Sequence, residues 1–221
     1  FKKNLPAGEA VLLRRLLKSC SKGLDGLRDW DVFLGQTLPM IEGHFPDHDG
    51  IAQLRKAAEK QRAKALEAAR TMLDQPEYGQ LLLILGAWAS YSRWASGASA
   101  EQMKAMAAPV ADLAGPLLDQ AYKRVTRRGE KIAELNVAQL HALRLDVKQM
   151  RYGTEFFGSV YPSKKVKKFR SKLTSMQEIL GQLQDAAVAE ARLADLTSSL
   201  SKDGLVAVGL LSGWFAAGSY T

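Results

Sequence analysis

A chain of 221 residues, 47% of them hydrophobic, carries enough apolar material for one large domain or two packed subdomains, which excludes an intrinsically disordered segment. Thirty-one Lys and Arg against 23 Asp and Glu leave a formal net charge of +8, so the summed field attracts polyanions without naming one. Cys20 is the single cysteine, which excludes an internal disulfide and a cysteine-rich zinc site and makes a reducing, cytoplasmic setting the expectation.

Helical periodicity dominates, and no run of alternating β-branched residues is bounded by hairpin turns, so the predicted fold class is all-α. Breakers at residues 5–8, 43–47, 75–77, 96–99, 161–163 and 202–204 divide the chain into about eight helical stretches. The first stretch carries the cations Arg14, Arg15, Lys18 and Lys22. A following loop holds His44, Asp47, His48 and Asp49, a set that transition metals accept, but its Gly and Pro mark an ordinary solvated turn and no metal is expected. Residues 51–73 are rich in strong helix formers, and Pro76 closes them. Their cations Arg55, Lys56, Arg62 and Lys64 alternate with Glu59 and Glu67 at helix-pair distances and are expected to be mostly solvated.

The uncharged runs at residues 81–91 and 205–221 are shorter than the roughly 20 residues of a spanning helix and are read as buried core helices, with Tyr91 and Trp94 in the core. Residues 96–100 are small and polar, the expected connection between two halves, 1–96 and 100–221, that together make one domain. Shifting the chain on itself by 156 residues aligns Pro6 with Pro162, Arg14 with Arg170, Leu17 with Leu173, Leu24 with Leu180 and Asp29 with Asp185, which predicts an internal repeat. In that register the first-half counterpart of residues 141–156 falls before Phe1, so the first half is expected to lack its N-terminal helices.

The segment with the sharpest chemistry is residues 140–157. At about 100° per residue, His141, Arg144, Lys148, Arg151, Tyr152 and Glu155 share one helix face, and Leu140, Leu143, Val147, Met150 and Phe157 lie opposite. A phosphate chain has a negative charge in every unit and offers only oxygen acceptors. It is matched by a ladder of donors: Arg gives a planar fork, Lys a mobile point charge, and His can add a proton. The competing reading is a solvated face paired with Glu155 and Asp146. Further cations tilt the balance, with Lys123, Arg124, Arg127 and Arg128 before the helix and Lys164, Lys165, Lys167, Lys168, Arg170 and Lys172 after it. Short connections would make the three basic segments neighbours.

These residues resemble the CHAD family, the conserved-histidine α-helical domain. Its signature helix, His-x-x-Arg-x-x-x-Lys/Arg-x-x-Arg-Tyr followed by Glu-Phe-Phe, is similar to His141, Arg144, Lys148, Arg151, Tyr152, Glu155, Phe156 and Phe157. Its Asp-bearing turn is similar to residues 26–31, with Asp29 and Asp31, and to residues 179–185, with Asp185. The resemblance covers nearly the whole chain. Lys148 and Gln149 stand where the family commonly has paired basic residues. The resemblance implies two pseudo-symmetric antiparallel helical bundles around a basic groove or pore that binds inorganic polyphosphate, often attached to a CYTH triphosphatase domain.

The expected function is therefore polyphosphate binding in the cytoplasm, with targeting to polyphosphate granules. Neither a Gly-x-Ser-x-Gly elbow nor a Walker-type loop occurs, and Cys20 has no His nearby in sequence, so no catalytic residue and no cofactor are expected. Asp29, Asp31 and Asp185 are expected to orient helices and pair with basic neighbours. A nucleic-acid-binding helical protein is the main rival. It lacks a recognisable helix-turn-helix or aromatic platform. An accessory unit of a phosphohydrolase is the third class.

Overall fold

The computed structural model describes residues 7–91, 95 and 97–218, and among them every regular element is helical. The chain divides into two compact units, Phe1–Ala107 with Ala189–Thr221, and Ala108–Val188.

The first unit opens with α1 (Ala7–Val32), which continues through a π-helical segment, Phe33–Thr37, into α2 (Leu38–Glu42). The cause lies in Pro39. It has no N–H to return to the preceding turn, and the Leu38 N–H donates instead to the Phe33 carbonyl, five residues back. Helix α3 (Asp49–Leu73) is capped by His48, whose Nδ1 accepts from the Gly50 N–H at 3.1 Å. Helix α4 (Pro76–Tyr91) starts at its proline, and α5 (Ala100–Ala107) contains no buried residue. Trp30, Phe33, Leu38, Ile41, Ile51, Leu54 and Ala58 form the main core of this unit. Ala189, Leu193 and Leu196 from the end of α8 (Ser163–Leu196) and Ala207 and Leu211 of α9 (Lys202–Gly218) complete it. Leu13, Leu16 and Leu81 make a smaller cluster between α1 and α4.

Arg192 fixes the end of α8 to α1: it donates to Asp29 at 2.8 Å and to Asp195 at 2.9 Å, and its guanidinium lies 5.4 Å from the centre of the Trp30 ring. Burial alone would lower the Arg192 guanidinium, but the hydrogen bonds to the two carboxylates outweigh it and hold it above its ordinary value. Asp31 accepts in turn from Arg62 at 2.5 Å. Asp29 and Asp31 thus pair with basic neighbours, as the sequence led us to expect.

The second unit consists of α6 (Val110–Gly129), α7 (Val137–Phe156) and the α8 residues up to Val188. A capping box opens α7: Asn136 accepts from the Gln139 N–H and Gln139 accepts from the Asn136 N–H, which satisfies two otherwise unpaired donors. Ala121 and Val125 of α6, Leu143, Val147 and Met150 of α7, and Leu173 and Leu180 of α8 form its core.

Three expectations are corrected. The halves expected at 1–96 and 100–221 differ from the observed units, because α8 ends in the first core and α9 packs there beside α3. The apolar run at 81–91 is not a buried helix: Leu81 is buried, but Leu83 and Tyr91 are 76% and 80% exposed, because α4 meets α1 along one side only. Trp94 lies outside the described residues. The 156-residue register also fails to preserve burial, since Leu173 and Leu180 are core while their aligned partners Leu17 and Leu24 are exposed. No helix among the described residues is long and apolar enough to cross a membrane.

Candidate functional site

Helix α7 separates its roles by angle. The stripe of Leu143, Val147 and Met150 is buried, and His141, Arg144, Lys148 and Arg151 are half-buried on the flank beside it. That flank meets neutral partners on α8: His141 Nδ1 lies 2.7 Å from Gln184 Oε1, and Arg151 Nε donates to Gln177 Oε1 at 2.8 Å. The Arg151 guanidinium and the Lys148 ammonium lie 4.8 and 5.8 Å from the centre of the Tyr152 ring, so Tyr152 is a platform for two cations. Glu155 is shared by Arg151 at 3.4 Å and Arg170 at 2.6 Å, two cations on one carboxylate.

Arg144 is the outlier. Its Nε is buried without a hydrogen-bond partner, and among the described residues no carboxylate pairs with it. A buried donor left unmet costs about 1–3 kcal/mol, and more when it is charged. An oxygen-rich ligand that reached the guanidinium would offset that cost.

The opposite flank of α7 faces α6 and is neutralised. Asp146 receives Arg124 at 3.4 Å and Arg128 at 2.6 Å, and Arg124 also donates to Gln149 at 2.7 Å. The competing reading, a solvated face with Asp146 and Glu155 as its counter-ions, therefore holds only in part: Asp146 serves α6 and leaves the motif cations alone. Lys123 and Arg127 remain exposed on α6, where they line a cavity of about 670 Å³ with Gln120, Tyr122 and Glu130. Lys168 and Lys172 are exposed on α8 beside Arg170 and have no carboxylate partner among the described residues. Arg14, Arg15, Lys18 and Lys22 belong to the other unit, where they are exposed on α1 and likewise unpaired among the described residues.

The sequence reading missed Gln177 and Gln184. Uncharged amides carry no electrostatic signal, yet with Gly181 they repeat four and seven residues apart, the spacing of one helix face. The discounted histidines have structural roles: His48 caps α3, and the His44 ring packs 4.5 Å from the Trp214 ring. No group of three metal-ligating side chains occurs among the described residues.

The CHAD domain family matches residues 1–194. The crystal structure of the CHAD domain from the plant Ricinus communis superposes with a TM-score of 0.74 at 28% identity, covering 93% of this chain and 65% of that one. The chain thus spans just under two thirds of the length of that relative. Among curated protein sequences, none matches at a significant level.

Proposed function

The chain belongs to the CHAD domain family, and from that premise we propose that it is a non-catalytic module that binds inorganic polyphosphate through the His141–Arg151 flank of α7. The observation that carries this reading is the choice of partners. Neutral amides orient His141 and Arg151, the one nearby carboxylate contact of Arg151 is the long 3.4 Å pair with Glu155, and the buried Arg144 Nε has no acceptor among the described residues. Such a flank is prepared for an anion made of oxygens. Lys148, Tyr152, Arg170, Lys168 and Lys172 extend the contact along α7 and α8 and Lys123 and Arg127 add charge on α6, while Arg14, Arg15, Lys18 and Lys22, which belong to the other unit, add to the overall positive charge that attracts a polyanion. In this role the module places itself, or a CYTH-type triphosphatase fused to it, on polyphosphate granules in the cytoplasm.

Titration with labelled polyphosphate tests the proposal. Affinity should rise with chain length over short oligomers and be absent for orthophosphate. Replacing Arg144 and Arg151 together by Gln should weaken binding about tenfold or more with little change in melting. Leu143→Ala should do the reverse, because that side chain is fully buried and its truncation costs about 2–5 kcal/mol. Equal binding of polyphosphate and orthophosphate would sink the proposal. Ready displacement by single-stranded or duplex nucleic acid at moderate salt would transfer the site to the rival ligand.

A further inference from the structure

We propose that the first unit carries a second oligophosphate-binding groove, separate from the α7 flank and lined by Lys56, Lys60 and Lys64 of α3. The three lysines repeat every four residues, so they form one row whose steps rise about 6 Å each. They border a cavity of about 370 Å³ whose other walls are Gln53, Ala57 and Gln61 of α3 and Ser199 and Leu200 beyond α8. All of these residues belong to the same compact unit.

The contrast with the arginines of the same helix gives this row its meaning. Arg55 makes two hydrogen bonds to Glu42, at 2.5 and 2.6 Å, Arg62 is paired with Asp31 at 2.5 Å, and Arg70 lies 3.8 Å from Glu67. Among the described residues, Lys56, Lys60 and Lys64 have no such partner and the groove they border contains no acidic side chain. Like charges four residues apart repel along a helix, so the row is unfavourable until an anion lies on it.

The remaining wall residues supply donors. Ser201 Oγ donates to Gln53 Oε1, which occupies the amide oxygen and leaves the Gln53 NH2 group for the groove. The Gln61 amide completes a lining that suits oxygen acceptors, whereas the Ser199 hydroxyl donates to the Leu196 carbonyl at 2.8 Å and adds no donor. Among the described residues the lining contains no aromatic ring on which a base could stack, which favours a bare phosphate chain over a nucleic-acid strand. Lysines are mobile point charges without the planar fork of arginine, so this groove should hold a chain loosely and without strict register.

The test is an equilibrium titration of the whole chain with tripolyphosphate, followed by backbone amide resonances. Two binding events are expected. One should disappear when Lys56, Lys60 and Lys64 are replaced together by Gln, a residue of similar helix propensity, with melting unchanged. The amides of residues 56–64 and 199 should shift on tripolyphosphate addition in the wild type and in the variant that lacks Arg144 and Arg151, but not in the lysine variant. If those amides stay still in the wild type, or if the lysine variant retains both events, the groove is refuted whatever happens at α7. If the only event observed is lost with the lysines and kept without the α7 arginines, the groove stands and the α7 proposal falls. A single-stranded oligonucleotide that shifts the same amides at lower concentration than tripolyphosphate would overturn the choice of ligand.

Discussion

Two half-buried arginines show how surroundings set a role. Arg144 and Arg192 each have a buried Nε without a partner, but Arg192 spends its other donors on Asp29 and Asp195 and rests against Trp30. Its charge is consumed in holding α8 to α1. Because its guanidinium is raised above the ordinary value, that stabilisation is complete throughout neutral pH and is lost only in strong alkali. Among the described residues no carboxylate pairs with Arg144, so its charge is available to a ligand. His141 is a third case. With Gln184 Oε1 as acceptor, Nδ1 is the donor, and Nε2 is the atom left to meet an anion, as a donor once the ring is protonated. Replacing Gln184 by Leu keeps the bulk and removes the acceptor. Polyphosphate affinity should fall about three- to tenfold with the far-ultraviolet spectrum intact. An unchanged dissociation constant would show that orientation by Gln184 is immaterial.

Helices α3 and α9 pack closely because of Gly50. A Cβ at that position would overlap the backbone carbonyl of Asp203, and backbone cannot swing aside as a side-chain tip can. Gly50→Ala should therefore lower stability by about 1–3 kcal/mol, seen as a lower melting temperature. Gly181, on the Gln177 and Gln184 face of α8, has open space where its Cβ would lie. Gly181→Ala is accordingly the control, and its helix preference should raise the melting point slightly. Several elements were legible before any coordinates. Strong helix formers marked α3, and angular separation marked both the motif flank and the core stripe of α7. The π-helical segment was hidden although its cause, Pro39, stands in the sequence, because a missing donor can end a helix, kink it or widen it. The exposure of Leu83 and Tyr91 was hidden for a different reason. A helix apolar on every side has no angular signal to say which stripe meets a neighbour.

Charge acts across the whole chain. With a net charge of +8, the cations beyond either groove strengthen the encounter with any polyanion without choosing among them. The affinity for polyphosphate should fall on the order of tenfold to a hundredfold between 50 and 200 mM salt, as displaced counterions dictate. A flat salt profile would mean that binding is not carried by the cations named above. Fold class and family were readable at this scale, since periodicity and the spacing of the His141 motif are local properties. The division into units was not. It depends on Leu193, Leu196 and Leu211 joining Trp30 and Phe33 across most of the chain, and no local pattern records such a pairing.

That long-range closure sets an order of events at the ribosome. The second unit is continuous in sequence, so its leucines can find one another while translation is still under way. Helices α1 to α3 emerge first but must wait for α9 before Trp30, Phe33 and Leu54 are fully covered. Over that interval the nascent protein displays a greasy, incompletely sealed surface, the kind that chaperones engage and that aggregates when synthesis is fast or interrupted.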